Sequence, residues 1–330
     1  MLHSCKLLRR CALLAGAALS LTALPGSAFA QAYPTKPIRL IVPFPGGASS
    51  LDMLIRLVTP PVSEALGQPL IVDYRASANG MIGSALVAKS APDGYTILSG
   101  TSSTHLSAVN LSKTVPYDPI KDFSPIIPLV DPTTVLVVHP SLPVGSVKEL
   151  VDHARRNPGK LSYASWGAGG FAHLSIEIFK QAANVDIVHI PYKGAAAATL
   201  DLVAGRVEVG IVSRATGTQH AANGRLRELA LMDRYAGLPA NAIVLAEALP
   251  GFEKLYSFYG IFGPAAMPRP IVNRLHGEFA RAVARPEVRQ KLDELNLAVL
   301  STTPEEFSAI LRKGLSTYGE AIKRAGVQPE

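Results

Sequence analysis

Short apolar runs alternate along this chain with stretches whose apolar residues recur at three- and four-residue spacing. The runs Ile38–Val42, Pro69–Arg75, Tyr95–Leu98, Leu161–Ala164, Ile187–Ile190, Val207–Val212 and Leu229–Met232 read as buried strands. Between them, Leu51–Leu66, a stretch ending at Lys89, Val147–Arg156, Phe171–Ala183 and Ala195–Ala204 carry helical periodicity. Strand alternating with helix predicts an α/β fold of mostly parallel sheets flanked by helices. Ligands on such sheets bind beyond the carboxyl ends of the strands.

The alternation is interrupted once, from Lys113 to Pro132, where Pro and Asp accumulate, and it resumes with the β-branched run Thr133–Val138. That break predicts two lobes, one from 31–128 and 236–330, the other from 129–235. A strand Tyr256–Phe262 and helices Pro270–Ala284, Pro286–Leu295 and Thr303–Ala325 are expected to return to the first lobe. Two connecting strands between lobes would act as a hinge.

One architectural feature occurs in both halves. After the first strand comes Pro43-Phe44-Pro45-Gly46-Gly47-Ala48-Ser49-Ser50; after the strand at 161–164 comes Ser165-Trp166-Gly167-Ala168-Gly169-Gly170. Each is a glycine turn leading into a helix start. A helix start offers unpaired N–H groups and the positive end of the dipole, and so attracts anions. Glycine lets a ligand approach the main chain closely. The expected cargo is a small carboxylate gripped from both sides.

The N-terminus changes the accounting. Lys6, Arg9 and Arg10 precede the apolar run Cys11–Leu24, and Ala28-Phe29-Ala30 ends it in the pattern of a cleavage site. Residues 1–30 are expected to be a removed secretory signal peptide, sending the protein to the periplasm. Both cysteines, Cys5 and Cys11, lie within it, so the mature chain has no disulfide and no thiol. The formal charge of +7 falls to +4 once the three signal cations are removed. The remaining Lys and Arg are scattered, which argues against nucleic acid.

Enzyme readings find no organised chemistry. Gly167-x-Gly169-x-x-Ala172 imitates a dinucleotide fingerprint, but its acid, Asp186, precedes the next strand instead of ending it. There is no Gly-x-Ser-x-Gly elbow and no His-Glu-x-x-His spacing. Neither catalytic nor metal-ligating residues are assigned, and no cofactor is expected.

Several motifs together resemble a known family. Tyr33-Pro34-Thr35-Lys36-Pro37-Ile38-Arg39 followed by Pro43-Phe44-Pro45 opens the resemblance. Ala65-Leu66-Gly67-Gln68-Pro69, Ala91-Pro92-Asp93-Gly94-Tyr95-Thr96, Pro191-Tyr192-Lys193-Gly194 and Ser301-Thr302-Thr303-Pro304-Glu305-Glu306-Phe307 extend it over nearly the whole mature chain. The sequence is similar to the tripartite tricarboxylate transporter receptors, also called Bug proteins. The resemblance implies a two-lobed periplasmic binding protein of the type II kind, a monomer that closes on a small organic acid. Its partners would be the membrane permease subunits of a tripartite transporter, or a membrane sensor. A periplasmic hydrolase on the same scaffold is the remaining alternative. The ligand residues carried over are Phe44, Gly46, Gly47, Ser49, Ser50, Ala78, Asn79, Thr104, His105, Ser165, Trp166, Gly167 and Gly170. Asp52 lies one residue further from Phe44 than in the family's usual spacing.

Single residues have two readings. Trp166, the sole tryptophan, is either a wall of the ligand cleft or ordinary packing. His105 is either a carboxylate partner or a loop cap, and His173, inside a helix, reads as structural. Arg214, just past a strand end, either pairs bidentately with a second carboxylate or is a solvated surface arginine.

Overall fold

The computed structural model describes residues 33–47, 49–235, 238, 240–300 and 302–328. The expected signal segment lies outside them. Chain order begins β1 (Ile38–Val42), α1 (Ser50–Leu66), β2 (Leu70–Tyr74), α2 (Met81–Ala88) and β3 (Thr96–Thr101). A π-helical turn, Ser103–Ser107, runs into the short α3 (Ala108–Leu111), and β4 (Phe123–Pro132) follows. The second set is β5 (Thr134–Val138), α4 (Val147–Arg156), β6 (Ser162–Ser165), α5 (Phe171–Ala183), β7 (Val188–Pro191), α6 (Ala195–Val203), β8 (Val209–Ser213), α7 (Arg214–Ala222) and β9 (Arg227–Leu231). The chain ends with α8 (Leu245–Ala248), β10 (Tyr259–Pro264), α9 (Arg269–Ala284), α10 (Pro286–Glu294), β11 (Leu297–Val299) and α11 (Pro304–Arg324).

The strands form two sheets, both within the unit Lys36–Glu330, of order β2-β1-β3-β10-β4-β11 and β7-β6-β8-β5-β9. β1, β2 and β3 are parallel, as are β6, β7 and β8. The strands at the crossings run antiparallel: β10 against β3 and β4, and β5 against β8 and β9. The parallel expectation thus holds for the βα units, and each sheet becomes mixed where the chain crosses between lobes. The outgoing crossing is Thr133 alone, because β4 runs to Pro132 in the first sheet; residues 129–132, expected in the second lobe, stay with the first. The return is not a strand but the irregular stretch 232–258, interrupted by α8.

β4 is one of the elements that residue patterning missed. Pro125, Pro128 and Pro132 mark it as a loop, yet it is a ten-residue strand. A proline cannot donate to a ladder, and in sheets it sits where pairing is irregular. Register shifts between Tyr259 and Gly260 and between Ile261 and Phe262 fall opposite Pro128 and Pro125. α7 was missed because its sequence, Arg-Ala-Thr-Gly-Thr-Gln-His-Ala-Ala, has no apolar stripe. Ser213 caps it, and Gly217 lets it sit close to β5: a Cβ there would lie 2.5 Å from Val135.

The C-terminal helices pack on the first sheet. Arg274 on α9 donates to the Ala65 carbonyl at 3.1 Å, and Phe307 on α11 lies edge-on to Phe258 with ring centroids 5.1 Å apart. α11 begins with a reciprocal capping box between Thr303 and Glu306. Among the described residues, no helix is long and apolar enough to cross a membrane.

Candidate functional site

The turn after β1 is braced from behind. Gly46 lies under the Tyr74 ring, where a Cβ would approach to 3.0 Å, and Gly47 has φ +145°, a conformation suited to glycine. Ser49 caps α1 by accepting from the Asp52 amide. The Asp52 carboxylate, 1% exposed, accepts from Arg56 Nε at 2.7 Å, from the Tyr74 hydroxyl and from the Gly47 amide. Burial opposes its charge, but these donors outweigh burial and hold its pKa below the ordinary 3.8. A depressed carboxylate stabilises the fold above its unfolded pKa, and that stability is lost as pH falls through the folded value. Asp52→Asn is expected to cost about 1–3 kcal/mol at pH 7 and to flatten the acid limb of stability, measured by urea unfolding across pH 3–7. Unchanged acid sensitivity would contradict this role.

The turn after β6 is built differently. Gly167 and Gly169 have φ +150° and +69°. A Cβ on Gly169 would lie 2.5 Å from Leu111, so only glycine lets this turn approach the first lobe so closely. Gly170 precedes α5 without any side-chain cap. The first amides of α5 therefore keep their donor capacity for something other than a capping side chain. This contrasts with α1, whose start is already served by Ser49 and Asp52.

Between the two turns lies a cleft of about 700 Å³. Of the expected residues, Phe44, Gly46, Gly47, Ser49, Asn79, Trp166, Gly167 and Gly170 line it. Asn79 sits in a single 3₁₀ turn at φ 54°, which Ala78 opens. Among the described residues, the lining contains no Asp, Glu, Lys, Arg or His. Its apolar walls are Phe44, Leu51, Leu111, Trp166 and Phe171; hydroxyls come from Ser102, Ser103, Thr134, Ser257 and Tyr259.

Five expected contacts lie elsewhere. Thr104 and His105 are fully buried, not in the cleft. Thr104 Oγ1 closes the turn by bonding to Thr101 at both its amide and its carbonyl. His105 stacks on Phe262 at 4.0 Å, and burial pushes its pKa down to about 3, so it carries no charge for a carboxylate. Ser50 is the first residue of α1, and its hydroxyl meets Tyr259 Oη at 3.0 Å, which places it one layer behind the lining. Ser165 is fully buried, 2.7 Å from His189 Nε2; the pair imitates a nucleophile and base, but no substrate reaches the hydroxyl. Arg214 opens α7 and donates to the Tyr235 hydroxyl at 2.6 Å, because the unforeseen helix turns it away.

Residue patterning also passed over real lining. The resemblance carried over Thr104 and His105, which face inward; Thr101, Ser102, Ser103 and Ser107 are their neighbours on the cleft. Position directly beyond the end of β3 was the usable signal. Tyr259 and Tyr318 gave none, since their place depends on β10 entering beside β3 and α11 folding back. Behind the cleft, Lys254 Nζ lies 3.0 Å from Asp131 and also pairs with Asp233. Burial raises Asp131 to about 6, against the pull of Lys254. This cation is committed to its two acids.

Two α/β lobes, joined by paired crossings and enclosing an uncharged cleft at their strand ends, define a two-lobed solute-binding protein. The chain belongs to the Tripartite tricarboxylate transporter family receptor group, whose description matches residues 54–327. This is a family of receptors, not enzymes. The chain is 37% identical over 315 residues to the UPF0065 protein in the tcbD-tcbE intergenic region of Pseudomonas sp. (strain P51), covering 94% of this chain and 92% of that one. An R. palustris protein solved with adipate superposes with a TM-score of 0.74 at 33% identity, over 90% of this chain and all 100% of its own. MatC from Rhodopseudomonas palustris, with bound malate, gives 0.69 at 25% identity, over 88% and 100%.

Proposed function

We propose that this protein is a periplasmic receptor that captures a small carboxylate between its lobes and hands it to the membrane permease of a tripartite tricarboxylate-type transporter. The observation that carries this reading is the uncapped start of α5 facing a cleft without charged side chains. The carboxylate would sit on the amides of Phe171 and its neighbours, with hydroxyls from Ser102, Ser103 and Tyr259 completing its shell. Hydrogen bonds to a charged acceptor contribute about 1.5–3 kcal/mol each. Four of them, about 6–12 kcal/mol, bracket the roughly 8 kcal/mol of a micromolar complex before closure and desolvation costs. Adipate and malate in the related structures are carboxylates held by proteins of this family.

The walls set the rest of the cargo. Phe44, Trp166 and Phe171 offer apolar faces and no counter-charge within their reach, which suits a ring or an apolar chain with its charge at the ends better than three clustered carboxylates. Adipate or benzoate should therefore bind more tightly than citrate, by about tenfold or more in calorimetric titration, since each uncompensated charge brought into the cleft is costly. Adipamide, equal in shape to adipate but neutral, should not bind. Equal affinity for adipamide would remove the anion cradle from the account.

A further inference from the structure

The turn 165–170 is held by two imidazoles, and neither is among the residues that line the cleft. His173, on the first turn of α5, accepts from the Gly169 amide through Nδ1 at 2.8 Å. His189, on β7, meets the Ser165 hydroxyl through Nε2 at 2.7 Å, and Ser165 Oγ donates on to the Gly167 carbonyl at 3.1 Å. The two rings stack face to face, centroids 3.8 Å apart and 8° from parallel. One end of the turn is thus tied to His189 and the other to His173. Gly169 is tied a second time: its carbonyl accepts from Ser107 Oγ of the first lobe at 3.0 Å. A single residue thus links a histidine of one lobe to a serine of the other.

We propose that His173 and His189 are positioning residues for the ligand cradle: together they set the 165–170 turn that leads into α5, so that the first amides of α5 face the cleft, and they hold Gly169 where Ser107 can reach it across the lobes. This assignment rests on the carboxylate reading above and deepens it.

The chemistry needs imidazole in its neutral form. An N–H donor at Gly169 requires a lone pair on Nδ1, so protonating that nitrogen sets two donors against each other. Two imidazolium rings at stacking distance would also repel. Groups packed around the pair leave it neutral. Tyr163 of β6 stacks on His189 at 4.9 Å, and its hydroxyl donates to Glu177 of α5 at 2.7 Å. Lys180 of α5 balances Glu177 at 2.8 Å, and Ser107 brings no charge from the first lobe. Burial lowers both histidines, His189 to about 4, with His173 beside it adding to the effect. The folded pKa values thus lie below the ordinary 6.5, so protons bind the released pair more readily than the stacked one. The brace is complete above about pH 7 and weakens as pH falls from there toward 4.

Acceptor and stacking roles are separable by substitution. His173→Asn keeps an oxygen close to the Nδ1 position and loses the stack; His173→Phe keeps the stack and loses the acceptor. Amide hydrogen exchange in the purified protein is expected to speed up at Gly169 by about tenfold in His173→Phe and to stay near the parent rate in His173→Asn, the effect of one lost hydrogen bond. With adipate as the probe, affinity should fall in the same order, and His189→Gln should rescue what His189→Phe loses. Equal Gly169 exchange in the Asn and Phe variants overturns the assignment. Should His173→Phe fail to fold, histidine nitrogen shifts in the parent protein decide: a neutral His173 at pH 6 with Nδ1 unprotonated supports the brace, and a protonated one overturns it. Failure of adipate to bind the parent protein counts against the function proposed above and leaves the exchange result standing.

Discussion

Gly169→Ala should lower stability by roughly 2–5 kcal/mol and abolish adipate binding at the same time. The two losses have one origin. The residue has φ +69°, which a side chain disfavours, and an added Cβ would lie 2.5–2.6 Å from two methyl carbons of Leu111. Leu111 ends a short helix and lies half-buried on the cleft wall, so its side chain gives way only into the space the ligand uses. Otherwise the turn retreats from the first lobe, which breaks the Ser107 bond and moves the α5 amides away from the cleft. Urea unfolding and calorimetric titration on the same preparation test both effects. Parental stability in Gly169→Ala would show that the close approach of the two lobes at this point carries no weight.

Gly47→Val and Gly167→Val should behave differently, losing ligand while the fold survives. Their φ values, +145° and +150°, strain any residue with a Cβ, at about 1–3 kcal/mol each. Yet an added Cβ at either position meets nothing within 4 Å, so the strain stays in the turn and the core is not displaced. A β-branched side chain at either turn would also project into space the ligand uses. Circular dichroism should be unchanged, with affinity reduced by about a hundredfold or more in each. Parental affinity in both variants would separate the two turns from the ligand altogether.

Much of this was legible in residue order because the βα units obey local rules. α4 and α5 have the ends that periodicity predicts, and the Gly-Gly and Gly-x-Gly turns announce where strands hand over to helices. What escaped was decided by distant partners. β4 is a strand despite three prolines because β10 pairs with it irregularly. α7 is a helix because Ser213 caps it and Gly217 fits against β5. In the candidate site, the turns themselves were readable, but the inward or outward sense of Thr104 against Ser103 was not. A π-helical turn sets that sense, and its phase differs from that of an ordinary helix. His189 drew no notice, since its role appears only when β7 lies beside β6 and α5 folds over both.

The pairing of Val135 with Leu231, and the bond from the Met232 amide to the Thr134 carbonyl at 3.0 Å, place entry and exit of the second sheet on adjacent rungs. Everything from Thr134 through α8 is therefore one continuous cassette, since the Leu231 amide bonds the Ile243 carbonyl at 2.8 Å and α8 packs on β9. Such a cassette can be excised or transplanted by joining a few residues, without rethreading the rest.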